Sequence, residues 1–265
     1  MVAAFGTAHQ VNAEDAFPDK ALEAAVRQEV FAKRNNTEPI TADDVKSISR
    51  VVGKGKKIVS LEGLQHCKAI MEIDLENNEI SDLGPLKELK LIQSMNLAGN
   101  KIESIEALAD LKGLQYLELS RNEVSDILPL KSMTNMRSLY LNENEIATLA
   151  PLADMKKIWT LYAGKNPIKD FSAISKLVWL ESLDLSETEL KELDFLSPLT
   201  ELKRLSLSKN KIEDLTALVK SCEADAAGPR RFSSFLKLDL RENPLGDLAK
   251  TTQIAKLKEL GVRIQ

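Results

Sequence analysis

The 265-residue chain has few aromatic residues and few of the residues that carry enzyme chemistry. Phe, Trp and Tyr together make up 5% of it, and it contains two histidines and two cysteines. No apolar run approaches the roughly 20 residues that cross a bilayer, so we predict no transmembrane segment. The net charge is −4, with acids and bases interspersed, whereas a nucleic-acid-binding domain usually carries a basic face. We therefore do not expect nucleic acid as a ligand.

The chain also lacks recognisable catalytic and ligand-binding motifs. Neither His9 nor His66 has the nearby acid and nucleophile of a catalytic triad. The phosphate-binding GxxxxGK, the dinucleotide-binding GxGxxG, the zinc-binding HExxH and the calcium loop are all missing. We therefore predict that the protein is not an enzyme and has no cofactor and no metal site.

What the chain does have is a repeat with the frame L-x-x-L-x-L-x-x-N-x-I. Seven copies follow one another every 22 residues and begin at Ile70, Ile92, Leu114, Met136, Ile158, Leu180 and Leu202. A degenerate copy precedes them at Ile48, another begins at Phe235, and a partial one runs through Leu257, Leu260 and Val262. The asparagine position holds Asn78, Asn100, Asn122, Asn144, Asn166, Asn210 and Asn243, with Thr188 as the exception.

Each part of the repeat has a physical role. The alternating L-x-L segment predicts a short strand with one buried face, and stacked coils would pair these strands into a parallel sheet. The asparagine amide both donates and accepts, so it can satisfy backbone groups inside the turn that water does not reach. Thr188 offers only a hydroxyl, which predicts a weak point in this ladder. Proline-containing returns such as "ISDLGPL" predict 3₁₀ turns on the convex side.

Helical patterns flank the repeats. "FPDKALEAAVRQEVFAKR" has Pro18 at a helix start and Leu22, Val26 and Val30 at helical spacing, and "TADD" from Thr41 resembles a capping box. "LAKTTQIAKLKEL" predicts a last helix, followed by a closing strand around Val262. These segments predict lids over the open ends of the solenoid.

The domain organisation follows from these patterns. One interruption of the repeat, around "CEADAAGPRR", adds 11 residues and predicts a protruding loop or a contact site. The predicted units are a leader remnant or unstructured tail at 1–16, a helical N-terminal cap at 17–47, the repeat array at 48–245 with an insertion at about 221–232, and a C-terminal cap at 246–265.

Residues 1–13, "MVAAFGTAHQVNA", are small and apolar and contain no acid or base. They end in an acceptable signal-peptidase site before Glu14, although the basic start of a secretory signal is missing. We interpret them as the remnant of an export signal, which predicts a secreted, periplasmic or cell-surface protein. An unstructured native terminus is the alternative, and the protein would then be cytoplasmic.

The frame, the 22-residue period, the "DLxPL" returns and the helical "FPDKALEAAV" segment resemble the internalin-type bacterial leucine-rich-repeat proteins over roughly residues 17–265. The resemblance implies an α/β solenoid, a right-handed curved coil with a parallel concave sheet, short 3₁₀ convex returns and helical caps at both ends. It also implies a surface or secreted protein that binds a protein partner on its concave face. We expect a monomer.

The two cysteines are predicted to be free thiols. Cys67 occupies the position held by Leu89, Leu111 and Met133 in the following coils, and Cys222 lies in the insertion. Seven coils at about 4.8 Å each separate them by roughly 30 Å, whereas a disulfide needs Cα atoms within about 7 Å.

All three tyrosines fall on outward strand positions, at Tyr116, Tyr140 and Tyr162, and Trp159 lies on the last of these coils. Tyr140 and Tyr162 hold the same position in adjacent coils, so we expect their rings about 5 Å apart. These four residues form either a structural ladder, worth about 0.2–1 kcal/mol per pair, or a binding hot spot. We favour binding, because an aromatic-poor chain places all its tyrosines on one exposed face.

The charges around the predicted aromatic centre are banded. The acidic band contains Glu72, Asp74, Glu76 and Glu118, and beyond the tyrosines lie Asp184, Arg204, Lys237 and Arg241. The bands are either an uncommitted solvated surface or a device that orients a partner. The predicted function is non-catalytic protein binding, and the alternatives are glycan binding or a regulatory subunit of an enzyme such as a phosphatase.

Overall fold

The structure, a computed structural model, describes residues 16–265. The predicted leader at residues 1–13 and His9 lie outside the described residues. The described chain forms one ten-stranded sheet in which the strands follow sequence order and all neighbours are parallel. The strands are β1 Arg50–Val52, β2 Glu72–Asp74, β3 Ser94–Asn96, β4 Tyr116–Glu118, β5 Ser138–Tyr140, β6 Thr160–Tyr162, β7 Ser182–Asp184, β8 Arg204–Ser206, β9 Lys237–Asp239 and β10 Arg263–Ile264.

The predicted register is confirmed through the seven regular coils. Residues 22 positions apart pair across neighbouring strands, for example Leu117 with Leu139 and Leu139 with Leu161. These middle residues are fully buried, while the residue on either side of each points outward, as the period of a strand requires. Short 3₁₀ turns such as Gly84–Leu86 and Glu106–Leu108 return the chain between strands and confirm the thin convex side.

The asparagine ladder connects each coil to the one before it. Asn144 donates through Nδ2 to the carbonyl oxygens of Leu119 at 2.9 Å and Leu141 at 3.0 Å. Its Oδ1 accepts from the backbone N–H of Val124 at 3.0 Å. A single buried side chain therefore satisfies three main-chain groups from two coils, which is the role that the repeat pattern predicts.

Thr188 serves one main-chain carbonyl where Asn144 serves three main-chain groups, and the weak point predicted there stays a prediction. Thr188 is buried, and its hydroxyl donates to Leu185 O at 2.8 Å. In the other coils, the asparagine side chain accepts an N–H from the preceding coil, so an asparagine at position 188 would accept the N–H of Ile168. That N–H instead donates to Asn166 O at 2.8 Å. Ile168 therefore finds its acceptor within its own coil, and Thr188 makes fewer bonds to the ladder than an asparagine does.

The N-terminal cap contains helix α1, Lys20–Glu29, whose apolar side buries Leu22 and Val26. Asp19 caps this helix, because its Oδ1 accepts from the N–H groups of Ala21 and Leu22. Its Oδ2 accepts from Val59 N at 2.8 Å and from Ser60 N in the first coil. One carboxylate thus both begins the helix and fastens it to the repeat array. These bonds lower the pKa of Asp19 against the opposing effect of burial.

The predicted capping box at Thr41 is only half correct. The Asp44 carboxylate accepts from Thr41 N at 2.7 Å and from the Thr41 hydroxyl at 2.6 Å. Residues 42–47 nevertheless form turns rather than a helix. Lys33 Nζ lies 2.8 Å from Asp44 Oδ2. This ion pair connects the turn to the chain that follows helix α1.

The predicted protruding loop is wrong for most of the insertion. Residues Thr216–Ala227 form helix α2, which buries Leu218, Cys222 and Asp225. Since α2 takes the place of a 3₁₀ return, the added residues thicken the convex side instead of projecting from it. The buried Asp225 carboxylate accepts N–H groups of the turn that follows, at residues 231–233.

The repeat copy predicted to begin at Phe235 is confirmed at Leu238, Leu240 and Asn243 but not at its first position. Phe235 is 59% exposed, and Leu236 and Phe232 are buried in its place. The cause is a tight turn, in which the N–H groups of Phe235 and Leu236 both bond to Phe232 O. In the last coil, Ile264 pairs with Leu238, so the closing strand lies beyond Val262.

The C-terminal cap is helical, as predicted. A π-helical turn at Ala249–Gln253 continues as helix α3, Ile254–Glu259, which buries Leu257. Cys67 and Cys222 are free and buried, as their spacing predicts, and burial raises the pKa of each thiol to about 12. Within residues 16–265, no helix combines the length and the apolar character needed to cross a membrane.

Candidate functional site on the concave face

Two rows of outward side chains run across the sheet and form its concave face. The first row is set by the opening residue of each strand and contains, in order, Arg50, Glu72, Ser94, Tyr116, Ser138, Thr160, Ser182, Arg204, Lys237 and Arg263. The second row is set two residues later and contains Val52, Asp74, Asn96, Glu118, Tyr140, Tyr162, Asp184, Ser206 and Asp239. Neighbours within a row stand about 4.8 Å apart on a sheet, so each row is a continuous contact surface.

The three tyrosines form one contiguous group, here called the tyrosine cluster: Tyr116, Tyr140 and Tyr162. Tyr140 and Tyr162 pair in register, with ring centroids 5.1 Å apart and planes at 83°. Tyr116 joins diagonally from the first row, with its ring centroid 5.5 Å from that of Tyr140. The predicted spacing is therefore observed, and the edge-to-face geometry is one that aromatic rings prefer.

The tyrosine rings are half-buried, and the cluster holds them in place. Burial raises the pKa of Tyr116 to about 12, and the negative charge of Glu118 adds to the shift. Burial also raises the pKa of Tyr140. The hydroxyl of Tyr162 is 3.0 Å from Ser182 Oγ. At neutral pH the phenols of Tyr116 and Tyr140 are protonated, so the cluster offers apolar ring surface together with neutral hydrogen-bonding hydroxyls.

Trp159, which the sequence places in the same patch, lies apart from the tyrosine cluster. It precedes β6, is 49% exposed, and packs against the guanidinium of Arg137, whose Cζ is 5.2 Å from the ring centroid. Among the described residues its ring has no aromatic contact with a tyrosine. Trp159 lies one position before β6, whereas the outward rows begin with the first residue of each strand, so Trp159 belongs to neither row.

The acidic band is largely paired with cations that the sequence analysis did not identify. Lys54 Nζ lies 2.9 Å from Asp74 Oδ2 and 3.2 Å from Glu76 Oε2. Arg121 reaches the same Glu76 at 3.3 Å. The hydrogen bond from Lys54 is the main cause that lowers the pKa of Glu76. Lys54 lies 22 residues before Glu76, which is one repeat period, so the sequence alone contained the information needed to predict this ion pair.

The other two acids of that band are in different situations. Glu118 accepts from the backbone N–H of Ser120 at 2.7 Å, which turns its charge toward its own coil. Glu72 is exposed and has no ion pair among the described residues. The N-terminal half of the concave face therefore presents far less free negative charge than its composition suggests.

The C-terminal end of the first row presents free positive charge. Arg204, Lys237 and Arg263 are consecutive in the row and exposed, and none forms an ion pair within residues 16–265. Arg263 was missed from the sequence because it enters the row only through the shifted register of β10. Arg241, in contrast, is already engaged by Asp239 through bonds of 2.8 and 2.6 Å, which also lower the pKa of Asp239.

A depression of about 300 Å³ lies between the tyrosine cluster and this basic end. Tyr162 and Ser182 line one side, and Arg204 and Lys237 line the other. Asp184 also borders it, with Oδ1 accepting from Ser186 N at 2.9 Å. The depression thus connects the aromatic and the cationic parts of one surface.

Within the described residues, no group of three or more His, Cys, Asp and Glu side chains is arranged to hold a metal ion. Asp74 Oδ1 is the one buried side-chain oxygen or nitrogen there that has no hydrogen-bond partner. What the arrangement offers is recognition, through rings, hydroxyls and charges fixed on rigid strands.

Comparisons with known proteins agree with the fold. A leucine-rich-repeat family model matches residues 68–124, and a model of two such repeats matches residues 112–154 and 178–220. No curated protein matches the chain significantly.

Solved structures are similar over most of the chain. Internalin C2 from Listeria monocytogenes is 30% identical with a TM-score of 0.73, over 77% of this chain and 89% of the internalin. Another internalin of that organism, InlF, is 28% identical with a TM-score of 0.81, over 96% of this chain and 72% of its own. A leucine-rich-repeat protein of Leptospira interrogans shares the fold, with 19% identity and a TM-score of 0.72, over 84% of this chain and 62% of that one.

Leucine-rich-repeat proteins typically mediate protein–protein interactions and are generally non-catalytic. The helix-capped solenoid, the 22-residue register and the extent of the similarity to internalin C2 lead to one conclusion. The chain belongs to the internalin-type leucine-rich-repeat proteins.

Proposed function

We propose that this protein is a non-catalytic binding module of the bacterial cell surface or exterior, which holds a protein partner on its concave face through the tyrosine cluster. The observation that carries the proposal is the contact of three rings, at centroid distances of 5.1 and 5.5 Å, on the outward side of the sheet. Tyrosines supply large, rigid contacts that dominate many interfaces.

A structural ladder is the competing explanation for the rings. Neighbouring rings on a sheet stabilise it by about 0.2–1 kcal/mol per pair, so the cluster would need no partner. The burial of the core does not depend on these rings, because Leu139 and Leu161 on the opposite side of the strands are fully buried. Binding and stability are therefore separable by mutation.

The export part of the proposal draws on the composition of residues 1–13 and on the internalin family. Protein binding is favoured over glycan binding because Tyr140 and Tyr162 contact one another edge to face, while a stacked sugar needs an open ring face. Glycan recognition remains the second candidate, since Tyr140 and Tyr162 keep partly exposed surfaces.

The test is a capture experiment with the Tyr140→Ser, Tyr162→Ser double variant. The immobilised wild-type chain is exposed to proteins from the surroundings of its source, and retained proteins are quantified by mass spectrometry. The control is Phe31→Ser, Trp179→Ser, which removes two exposed rings outside the two rows. We expect a protein retained by wild type and control but lost by the tyrosine variant, with nearly unchanged melting temperatures.

Undiminished capture by the tyrosine variant would refute the site. A glycan array on the same proteins separates the second candidate. Binding of a neutral glycan that is insensitive to salt and is lost in the tyrosine variant would assign the cluster to sugars.

A further inference from the structure

We propose that the basic end of the first row, Arg204, Lys237 and Arg263, together with the adjoining depression, binds an acidic segment of the partner through at least two Asp or Glu carboxylates. This inference rests on the proposed function, because it assumes a polypeptide on the same face. It adds the chemistry of that polypeptide and the direction in which it lies.

The row of three neighbouring cations lowers the stability of the free protein. Arg204 pairs in register with Lys237, and Lys237 with Arg263, so three cationic residues lie on neighbouring strands whose backbones are about 4.8 Å apart. Like charges directly opposite on a sheet are destabilising. Elsewhere on the concave face cations are neutralised, as Lys54 is by Asp74 and Glu76. The uncompensated row is the exception.

The acidic side chains near this row already bond to other groups. Asp239 accepts from Nε and Nη2 of Arg241, and Asp184 accepts from Ser186 N and from Asn142 Nδ2 at 3.4 Å. Neither carboxylate turns to neutralise Arg204 or Lys237. The row is therefore positively charged toward solvent, and an incoming anion does not have to displace an internal partner.

The spacing of the three cations fits separate carboxylates better than one phosphate. Three cations on neighbouring strands span about 10 Å, and alternate side chains of an extended peptide lie about 7 Å apart. A peptide crossing the strands could set two carboxylates on this row. A single phosphate dianion would concentrate its charge in the depression, facing Asp184 and Asp239, so separate monoanionic carboxylates fit better.

The depression also sets the orientation. Tyr162 lines it on one side and Lys237 on the other, so a bound segment would pass from the tyrosine cluster directly onto the cations. We therefore expect acidic residues adjacent in sequence to the apolar part of the partner that contacts the rings. Such charges would mainly speed and orient association.

The test uses fluorescein-labelled deca-glutamate and deca-glutamine, measured by fluorescence anisotropy at low and at physiological salt. We expect the wild-type chain to bind deca-glutamate in preference to deca-glutamine, more weakly as salt rises. Arg204→Gln, Lys237→Gln, Arg263→Gln should weaken deca-glutamate binding by about tenfold or more. Circular dichroism and the melting temperature check that the variant folds.

The matched control is Lys112→Gln, Lys131→Gln, Lys191→Gln. These lysines are exposed, lie outside both rows, and give the same change in net charge. We expect this control to keep wild-type binding within about twofold, because distant exposed charges are screened. An equal loss in both triple variants, or no binding of deca-glutamate by the wild type, would overturn the inference.

Two further outcomes separate this site from alternatives. Displacement of deca-glutamate by inorganic phosphate, beyond the effect of sodium chloride at equal ionic strength, would assign a phosphate pocket and overturn the carboxylate assignment. Full capture of the protein partner by the Arg204, Lys237, Arg263 variant, with loss in the tyrosine variant, would refute this inference and leave the proposed function intact.

Discussion

Asn210 Oδ1 accepts the backbone N–H of Thr188 at 2.9 Å and lies 3.2 Å from the Thr188 hydroxyl oxygen. The asparagine of one coil therefore serves the threonine that stands where the previous coil would carry its own asparagine. Because Asn210 Nδ2 also donates to Leu185 O at 2.7 Å, that carbonyl has a second donor besides Thr188. The asparagine ladder therefore continues past Thr188, with Thr188 and Asn210 both donating to Leu185 O.

The first prediction compares Asn144→Ala with Thr188→Val. Removing the Asn144 amide leaves the buried N–H of Val124 without its acceptor, so we expect a loss of about 2–3 kcal/mol in the free energy of unfolding. Removing the Thr188 hydroxyl leaves Leu185 O satisfied by Asn210, so we expect a loss below about 1 kcal/mol. Urea denaturation followed by circular dichroism measures both.

A suitable control for the ladder is Asn135→Ala, because Asn135 is exposed and bonds to Lys112 O at 3.2 Å on the surface. Its unfolding free energy should stay within about 0.5 kcal/mol of wild type. An equal cost at Asn144 and Thr188 would contradict the hydrogen-bond assignment.

The second prediction concerns pH and Asp225. Burial by itself would raise the pKa of this carboxyl, but bonds from the N–H groups of Ser233, Arg231 and Phe232 outweigh it, and the pKa is lowered from 3.8. A depressed pKa contributes stability above the unfolded-state value, and the contribution is lost as pH falls through the folded-state value. We expect Asp225→Asn to destabilise the protein by about 2 kcal/mol near neutral pH, with a gap that narrows below about pH 4.

Denaturant midpoints measured across this pH range test the Asp225 prediction. Asp247→Asn is the matched control, since Asp247 is exposed, and its midpoint should follow wild type throughout. A difference between wild type and Asp225→Asn that does not change with pH would show that the carboxylate charge is not what the turn at residues 231–233 requires.

The third prediction tests the neutralised acidic band. Lys54→Gln removes the main cause of the lowered pKa of Glu76, so this pKa should rise while Arg121 keeps part of the effect. Carboxyl carbon NMR titration measures the shift. Lys101→Gln is the control: Lys101 lies 2.8 Å from Glu79 and lowers its pKa, so this substitution should raise the pKa of Glu79 and leave that of Glu76 unchanged. Unchanged titration of Glu76 in Lys54→Gln would mean that the band is not neutralised by this lysine.

Most of the fold and part of the site could be predicted from the repeat. A strict 22-residue period places Tyr140 beside Tyr162, and strand alternation turns both rings outward. The same reasoning failed where the period is interrupted. Helix α2 has no strong apolar stripe, so its sequence does not distinguish a helix from a loop, and the turn after it moves Phe235 outward and Leu236 inward.

Within the regular 22-residue coils, the amino-acid sequence by itself determined the coil, its register and which side chains are buried, since these depend on spacing along the chain and on the hydrophobic effect. Only the tertiary structure decided which charges of the concave face are free. Arg121 and Glu76 meet because coils stack, and Arg263 joins Lys237 because of the register of β10. Pairing of charges depends on distances across coils, and composition contains no record of those distances.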